Sequence, residues 1–407
     1  MAGVHRLEVS TPQGAGGALS KEGDAYLFGY SDARADAAIS LTMPVRAAQY
    51  SRLALHPIFQ MNLPEGFMLE ELRNRLAKLM VLDPMVLLAL TGAQEPIGRV
   101  RVSGQPLALP GAAPGLHQQQ AGERLAEILA WDGVESLFAH LVDRYILRAG
   151  VSGVQPKVLV PEAMDPGPSK ATVVTHELIV KSGRAQFPGL AANEFLCMSM
   201  AREAGLDVPQ FYLSKNRELF VMRRFDRTET GQALGFEDMA VLTGRGADKK
   251  YEGSYADVAK AVRINASPGH VQPSLHALFD SVALSCMLGN GDAHLKNFGL
   301  LYTDPTRDDC RLAPAFDIVN TTGYIPEDVL ALELGGTRTF FASRQHLLGF
   351  ARHCDVDKPR ARIENLLLAV ERTLQREQEV AESIADVVAA IRHGVAQFEA
   401  SFTKART

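Results

Sequence analysis

The order of its secondary-structure signals constrains this chain more than any single motif does: strand-type runs crowd the first half and helical periodicity fills the second. Ala25–Tyr30 and Ala38–Met43, the latter closed by Pro44, read as short strands. Leu69, Leu72, Leu76 and Leu79 recur at three- and four-residue intervals and predict a helix over Glu70–Leu79. Residues 1 to about 100 therefore read as a small β-rich unit. The Pro/Gly/Ala stretch Ser103–Gly115, followed by Gln118–Gln120, breaks the periodicity and is the linker candidate. A helical pattern over about 120–148 comes next, then strands Lys157–Val160 and Thr172–Val180 around a Pro/Asp/Gly-rich hairpin loop, Pro161–Ser169. From Ala192 to about Ala204 the pattern is helical, and short strands follow near Phe211–Leu213 and Leu219–Met222. Helices fill the rest, with Ala361–Phe402 suited to the surface of a helical lobe. The expected fold class is α+β, in three parts: 1–105, 106–225 and 226–407.

Composition narrows the function classes. With 407 residues, 46% apolar and 22% charged, the chain can bury a large core, which excludes disorder and a small stapled scaffold. A formal charge of −5 gives no global reason to expect nucleic acid or an anionic membrane as main ligand. Cys197, Cys286, Cys310 and Cys354 are far apart and lack the spacing of a zinc or redox motif. The first thirty residues carry Glu8, Lys21, Glu22 and Asp24 and no apolar signal-peptide core, and the apolar run around Met85–Leu90 is too short to span a bilayer. The expectation is a cytoplasmic protein with reduced thiols and no membrane partner.

The chemistry concentrates after a helix whose face carries Leu275, Leu278, Phe279, Val282 and Cys286. There the chain breaks into Leu288-Gly-Asn-Gly-Asp292-Ala-His294-Leu295-Lys296-Asn297-Phe298. Asp292 and Asn297, five positions apart, match the Asp-x-x-x-x-Asn catalytic loop of kinases, in which the Asp takes the proton of the attacking hydroxyl and the Asn oxygen binds Mg²⁺. The spacing alone also suits an ordinary turn. Asp317, in the apolar run Leu312-Ala-Pro-Ala-Phe316-Asp317-Ile318, is an acid that burial penalises unless it is paired or metal-bound; it could equally cap a helix. Lys181 ends the strand Thr175–Val180 and could reach phosphate, or be merely solvated. Glu194 on the next helix could pair with it, or be an exposed carboxylate. Gly150-Val-Ser152-Gly153-Val154-Gln155-Pro156-Lys157 offers glycines, a hydroxyl and a lysine for a phosphate loop, but by itself it is also a plausible turn. His294 and Lys296 could face phosphate. No H-E-x-x-H or G-x-S-x-G motif occurs.

Taken in order, these segments resemble the HipA family of serine/threonine kinase toxins from bacterial type II toxin–antitoxin systems, over nearly the whole chain. Ile39–Pro44 and Leu63–Gly66 resemble its N-terminal subdomain, Val151–Lys157 its phosphate loop, Ala192–Phe195 its helix acid, and Arg224–Arg227 the segment after its hinge. Gly291–Asn297 and Pro314–Asp317 resemble its catalytic and magnesium motifs. The resemblance implies a two-lobed, protein-kinase-like fold with a β-rich N-terminal subdomain and a helical C-terminal lobe, with ATP and Mg²⁺ as cofactors. It implies Asp292 as general base, Asn297 and Asp317 as Mg²⁺ ligands, and a supporting Lys181–Glu194 ion pair. The nucleotide is expected to meet Ser152, Gly153, Val154, Gln155, Pro156, Lys157, Lys181, His294, Leu295, Lys296, Asn297, Phe316 and Asp317, with adenine on the backbone of Arg223, Arg224 and Phe225. Gly150 stands where some members carry an autophosphorylated serine, so Ser152 is the expected site here. The implied partners are a helix-turn-helix antitoxin of the HipB type, operator DNA through that antitoxin, and a protein substrate such as an aminoacyl-tRNA synthetase. Two other readings share features of the sequence: a small-molecule phosphotransferase of the aminoglycoside or choline kinase type, and a non-catalytic corepressor of a DNA-binding partner.

Overall fold

Along Arg6–Thr11 exposed and buried side chains alternate, with Leu7, Val9 and Thr11 turned inward, the period-two pattern of a strand with one face on a core. It pairs antiparallel with Gly14–Glu22 and Arg101–Ser103, and Ala25–Tyr30 and Tyr50–Arg52 extend the sheet beyond Gly14–Glu22. The computed structural model describes residues 4–92, 95–104, 122–132, 136–146, 155–163, 177–183 and 185–402. Contacts divide the chain into two units, the first made of Met1–Ser182, Ser214–Glu237 and Tyr302–Arg307, the second of Gly183–Leu213, Asp238–Leu301 and Asp308–Thr407.

In the first unit the helix Pro84–Thr91 packs on Arg6–Thr11 and Arg101–Ser103. Its start is set by Pro84 and by Asp83, whose carboxylate accepts from Val86 N at 2.9 Å. The helix expected at Glu70–Leu79 runs over Gly66–Leu76, and Met68 joins Leu72 and Leu76 on the buried face in place of Leu69. Ala38–Met43 is not a strand: a 3-10 turn at Ala35–Ala37 leads to a single bridge between Ser40 and Met43. The reason is a buried carboxylate. Glu237 accepts from Ser40 Oγ at 2.5 Å, Leu41 N at 2.8 Å and Tyr302 Oη at 2.5 Å, so this segment's polar groups serve the acid instead of a ladder.

A second group of strands in this unit, Lys157–Pro161, Glu177–Ser182 and Leu219–Arg223, is antiparallel, with Glu177–Ser182 in the middle. Val158, Leu159, Val160, Leu178, Val180, Phe220 and Val221 are fully buried, so these strands read as apolar runs without alternation. The helix Leu137–Tyr145, capped by Ser136, packs against the first two. The helical pattern at 120–148 is thus split into Leu125–Ala130 and Leu137–Tyr145. The hairpin loop and most of the proposed linker lie outside the described residues.

The second unit is built around the helix Pro268–Leu288, whose Leu275, Leu278, Phe279, Val282, Leu284 and Met287 are fully buried. It is flanked by Tyr255–Asn265, Phe340–His353, Pro359–Arg376 and Ala385–Phe402. The last two turn an apolar stripe inward, with Ile363, Leu366 and Val370 buried on one and Val387, Ile391 and Phe398 on the other. Leu190–Glu203 is buried along most of its length. All four cysteines are buried and unbridged, and burial pushes Cys197, Cys286 and Cys354 up to about 12. Among the described residues no helix is long and apolar enough to cross a membrane.

Candidate functional site

The polar loop begins where the central helix stops. Gly289 takes φ +68°, the left-handed turn that ends helices, and Asn290 Oδ1 accepts from Asp292 N at 3.0 Å. Gly291 N donates to Thr321 Oγ1 at 2.8 Å, and a Cβ at this glycine would lie 2.0 Å from Asp328 Oδ2, so no larger residue fits. Asp292, half exposed, accepts from Tyr251 Oη at 2.7 Å. The Asn297 side-chain nitrogen donates to Asp292 O at 2.7 Å, which commits the amide's donor and leaves its oxygen as the atom a hard cation would take.

His294 lies between them and is buried, its Nε2 3.8 Å from Asp292 Oδ1 and its ring edge-on to Tyr251. Burial, with Lys250 and Lys296 nearby, pushes its pKa down to about 3 despite Asp317. At neutral pH it is therefore an uncharged imidazole and no cation for phosphate. Leu295 is buried in the core and gives its N–H to Lys250 O at 3.0 Å, while Lys296 is buried beside it.

Asn297 and Asp317 line one pocket with Asn290, Phe298, Pro314 and Phe316, a small cleft partly open to solvent. Asp317 caps no helix, since none starts there, and its φ of +60° is left-handed. Just beyond it Asn320 N donates to Asn193 Oδ1 at 2.9 Å, and Asn193 Nδ2 returns a bond to Asn320 O at 2.7 Å. This exchange ties the segment after Asp317 to the residue preceding Glu194. Glu194 is fully buried, which rules out an exposed helix-face carboxylate.

The remaining predicted residues belong to the first unit. Lys157 and Lys181 are cross-strand partners, 6% and 2% exposed, and neither is a solvated strand-end lysine. Lys181 Nζ also lies 5.6 Å from the Phe220 ring centroid. Ser182 N donates to Pro156 O at 3.0 Å, and Gln155 Nε2 reaches Ser182 O at 3.5 Å. Ser152, Gly153 and Val154 lie outside the described residues. Arg223 forms a two-pronged pair with Glu162. Arg224 is buried between Glu177 and Asp226 and donates to Glu95 O and Pro96 O, a framework role for its side chain. Burial opposes ionisation of Asp226, but the Arg224 and Arg227 guanidiniums outweigh it and bring the carboxyl down to about 2. Phe225 packs edge-on to Phe236.

Sequence reasoning missed Tyr251, Thr321 and Asp328, which surround the loop from positions distant in sequence, and the facing register of Lys157 and Lys181. Strand pairing of Lys157–Val160 with the next strand was the one signal that could have found that register. Among the described residues no group of three or more His, Cys, Asp or Glu side chains could hold a metal by itself. The Asn297 oxygen and the Asp317 carboxylate in one pocket nevertheless fit Mg²⁺, which takes one or two protein oxygens and completes its shell with phosphates and water.

Residues 7–103 match the family model of the HipA N-terminal domain, and residues 149–393 that of the HipA-like C-terminal domain. A Sinorhizobium fredii protein named "Putative kinase Y4dM" is 33% identical over 197 residues, covering 44% of this chain and 46% of that relative. This chain thus aligns with about half of that relative's length. A second protein of that organism, "Putative kinase Y4mE", is 29% identical over 325 residues, 73% of this chain and 72% of the relative. Among solved structures, one from the Shewanella oneidensis toxin–antitoxin complex of HipA, HipB and operator DNA superposes with a TM-score of 0.64 at 18% identity, covering 98% of this chain and 97% of that one. The likeness is one of fold: α+β and kinase-like, β-rich in its N-terminal part and helical in its C-terminal part.

Proposed function

The chain belongs to the HipA family, and from that premise we propose that it is an ATP- and Mg²⁺-dependent protein kinase acting on serine or threonine, the toxin of a HipA/HipB-type pair. The observation that carries this reading is the Asp292–Asn297 loop, in which a half-exposed carboxylate accepts a hydrogen bond from the Tyr251 hydroxyl at 2.7 Å and the Asn amide is pinned to the same turn. Asp292 takes the proton of the acceptor hydroxyl as general base. Asn297 and Asp317 hold Mg²⁺, which when bound neutralises charge on the phosphates. Lys157 and Lys181 hold phosphate oxygens, Glu194 supports Lys181, the backbone of Arg223–Phe225 takes the adenine, and Ser152 is the site of self-phosphorylation. Residues 1–105, 106–225 and 226–407 act as the N-terminal subdomain, nucleotide-binding region and catalytic lobe. The partners in this reading are a HipB-type antitoxin, operator DNA through it, and a translation protein as substrate, in the cytoplasm.

The test is incubation of the purified chain with γ-labelled ATP and Mg²⁺, with and without host lysate, beside Asp292→Ala. Label on Ser152 or on a lysate protein, absent with the variant, is the expected result, and mass spectrometry then identifies the acceptor. ATP binding with label on small molecules alone would make the chain a small-molecule phosphotransferase. Growth inhibition and operator repression unchanged in Asp292→Ala would make it a corepressor.

A further inference from the structure

Tyr251 stands 41 positions before Asp292, yet its hydroxyl is bonded to Asp292 Oδ1 at 2.7 Å. Four further contacts surround this pair. Leu295 N donates to Lys250 O at 3.0 Å, so the chain around Tyr251 is stitched to the catalytic loop through its backbone. The phenol ring meets the buried His294 ring edge-on, with centroids 5.1 Å apart. From the other side Arg338 Nη2 donates to Tyr251 O at 2.6 Å. Lys250 Nζ lies 5.2 Å from the ring centroid. A phenol bonded at its hydroxyl to Asp292 and met at its ring by His294 and Lys250 is a poor candidate for a plug that each substrate must push aside. It is well suited to hold a carboxylate in one orientation.

Resting on the kinase reading above, we propose that Tyr251 is the positioning residue of the general base: its phenolic O–H engages one carboxylate oxygen of Asp292 and fixes the carboxylate plane toward the acceptor hydroxyl. A hydrogen bond to one carboxylate oxygen narrows rotation of the Asp292 side chain and so favours orientations that aim a lone pair at the incoming proton. The bond that Asn297 makes to Asp292 O fixes the backbone of the turn, not the carboxylate. Tyr251 acts on the carboxylate itself. It exchanges no proton with substrate and is not itself a catalytic residue. The Thr321 and Asp328 contacts act on the backbone at Gly289 and Gly291 and are separate from this role.

The experiment uses the full chain with γ-labelled ATP and Mg²⁺, following transfer to myelin basic protein and release of inorganic phosphate, with a fluorescent ATP analogue to read nucleotide affinity. Tyr251→Phe, which keeps the ring and removes only the hydroxyl, is expected to lower kcat by about tenfold to a hundredfold, with the KM for ATP and analogue affinity within about twofold of wild type. Tyr251→p-aminophenylalanine, which restores an N–H donor on the same ring, is expected to recover most of the loss; a purely structural role would not follow the donor in this way. Wild-type kcat in Tyr251→Phe, or no recovery with the amino analogue, overturns the assignment while leaving the kinase reading intact. A wild-type chain that binds the analogue but neither transfers nor releases phosphate overturns both.

Discussion

Asp317 carries the most strained backbone near the site, a φ of +60° on a residue with a Cβ. Such a conformation costs roughly 1–2 kcal/mol for most residues, somewhat less for Asp, and persists where surrounding structure over-determines it. Asp317→Gly is therefore expected to raise stability by about 1 kcal/mol in urea denaturation and to abolish phosphate transfer, a separation of stability from activity that a framework residue would not give. A second residue-scale expectation concerns acid. Burial, helped by Arg52, pushes His56 down to about 4. A histidine whose folded pKa is depressed contributes stability that is fully present above its unfolded pKa near 6.5 and is lost as pH falls through the folded value near 4. Urea midpoints should fall across that window, and His56→Gln should remove that part of the slope. The turn that joins Asp292 and Asn297 was legible in the sequence because both residues fall in one short stretch. Tyr251 and Asp328 were not, since only the folded chain brings them to the loop.

At the scale of elements, periodicity located what packing alone decides. Phe211–Leu213 matches its expected range, and the central helix carries the five apolar residues read from the sequence, although its last two turns, Ser281–Leu288, are buried on every side rather than along one face. Periodicity failed where a polar contact took over: Ala38–Met43 has a strand's composition, but Ser40 and Leu41 answer to the Glu237 carboxylate nearly two hundred positions away. The Gly289–Asn297 turn is the element on which the proposed function rests, and Gly291 is its tightest point. Gly291→Ala would place a methyl 2.0 Å from Asp328 Oδ2, forcing the acid or the turn to move. The expected outcome is near-complete loss of phosphate transfer with the far-ultraviolet circular dichroism of the helical unit preserved.

For the whole molecule, the sequence order of strands before helices was enough for the α+β class, because each element's period is a local property. The division into contact units was less legible. The strand Leu219–Arg223 and the short stretch Tyr302–Arg307 return to the first unit from deep in the second half of the chain, and such returns follow from long-range packing, not from composition. The matches to HipA N-terminal and C-terminal domains extend over both units. The most direct measurement is the rate of phosphate transfer from Mg²⁺–ATP by the purified chain and by Asp292→Asn, with ATP affinity measured on both. Removing the base should lower kcat by about 10²–10⁴-fold while ATP affinity stays within about twofold. Equal rates in the two proteins would contradict a catalytic Asp292 and with it the kinase reading.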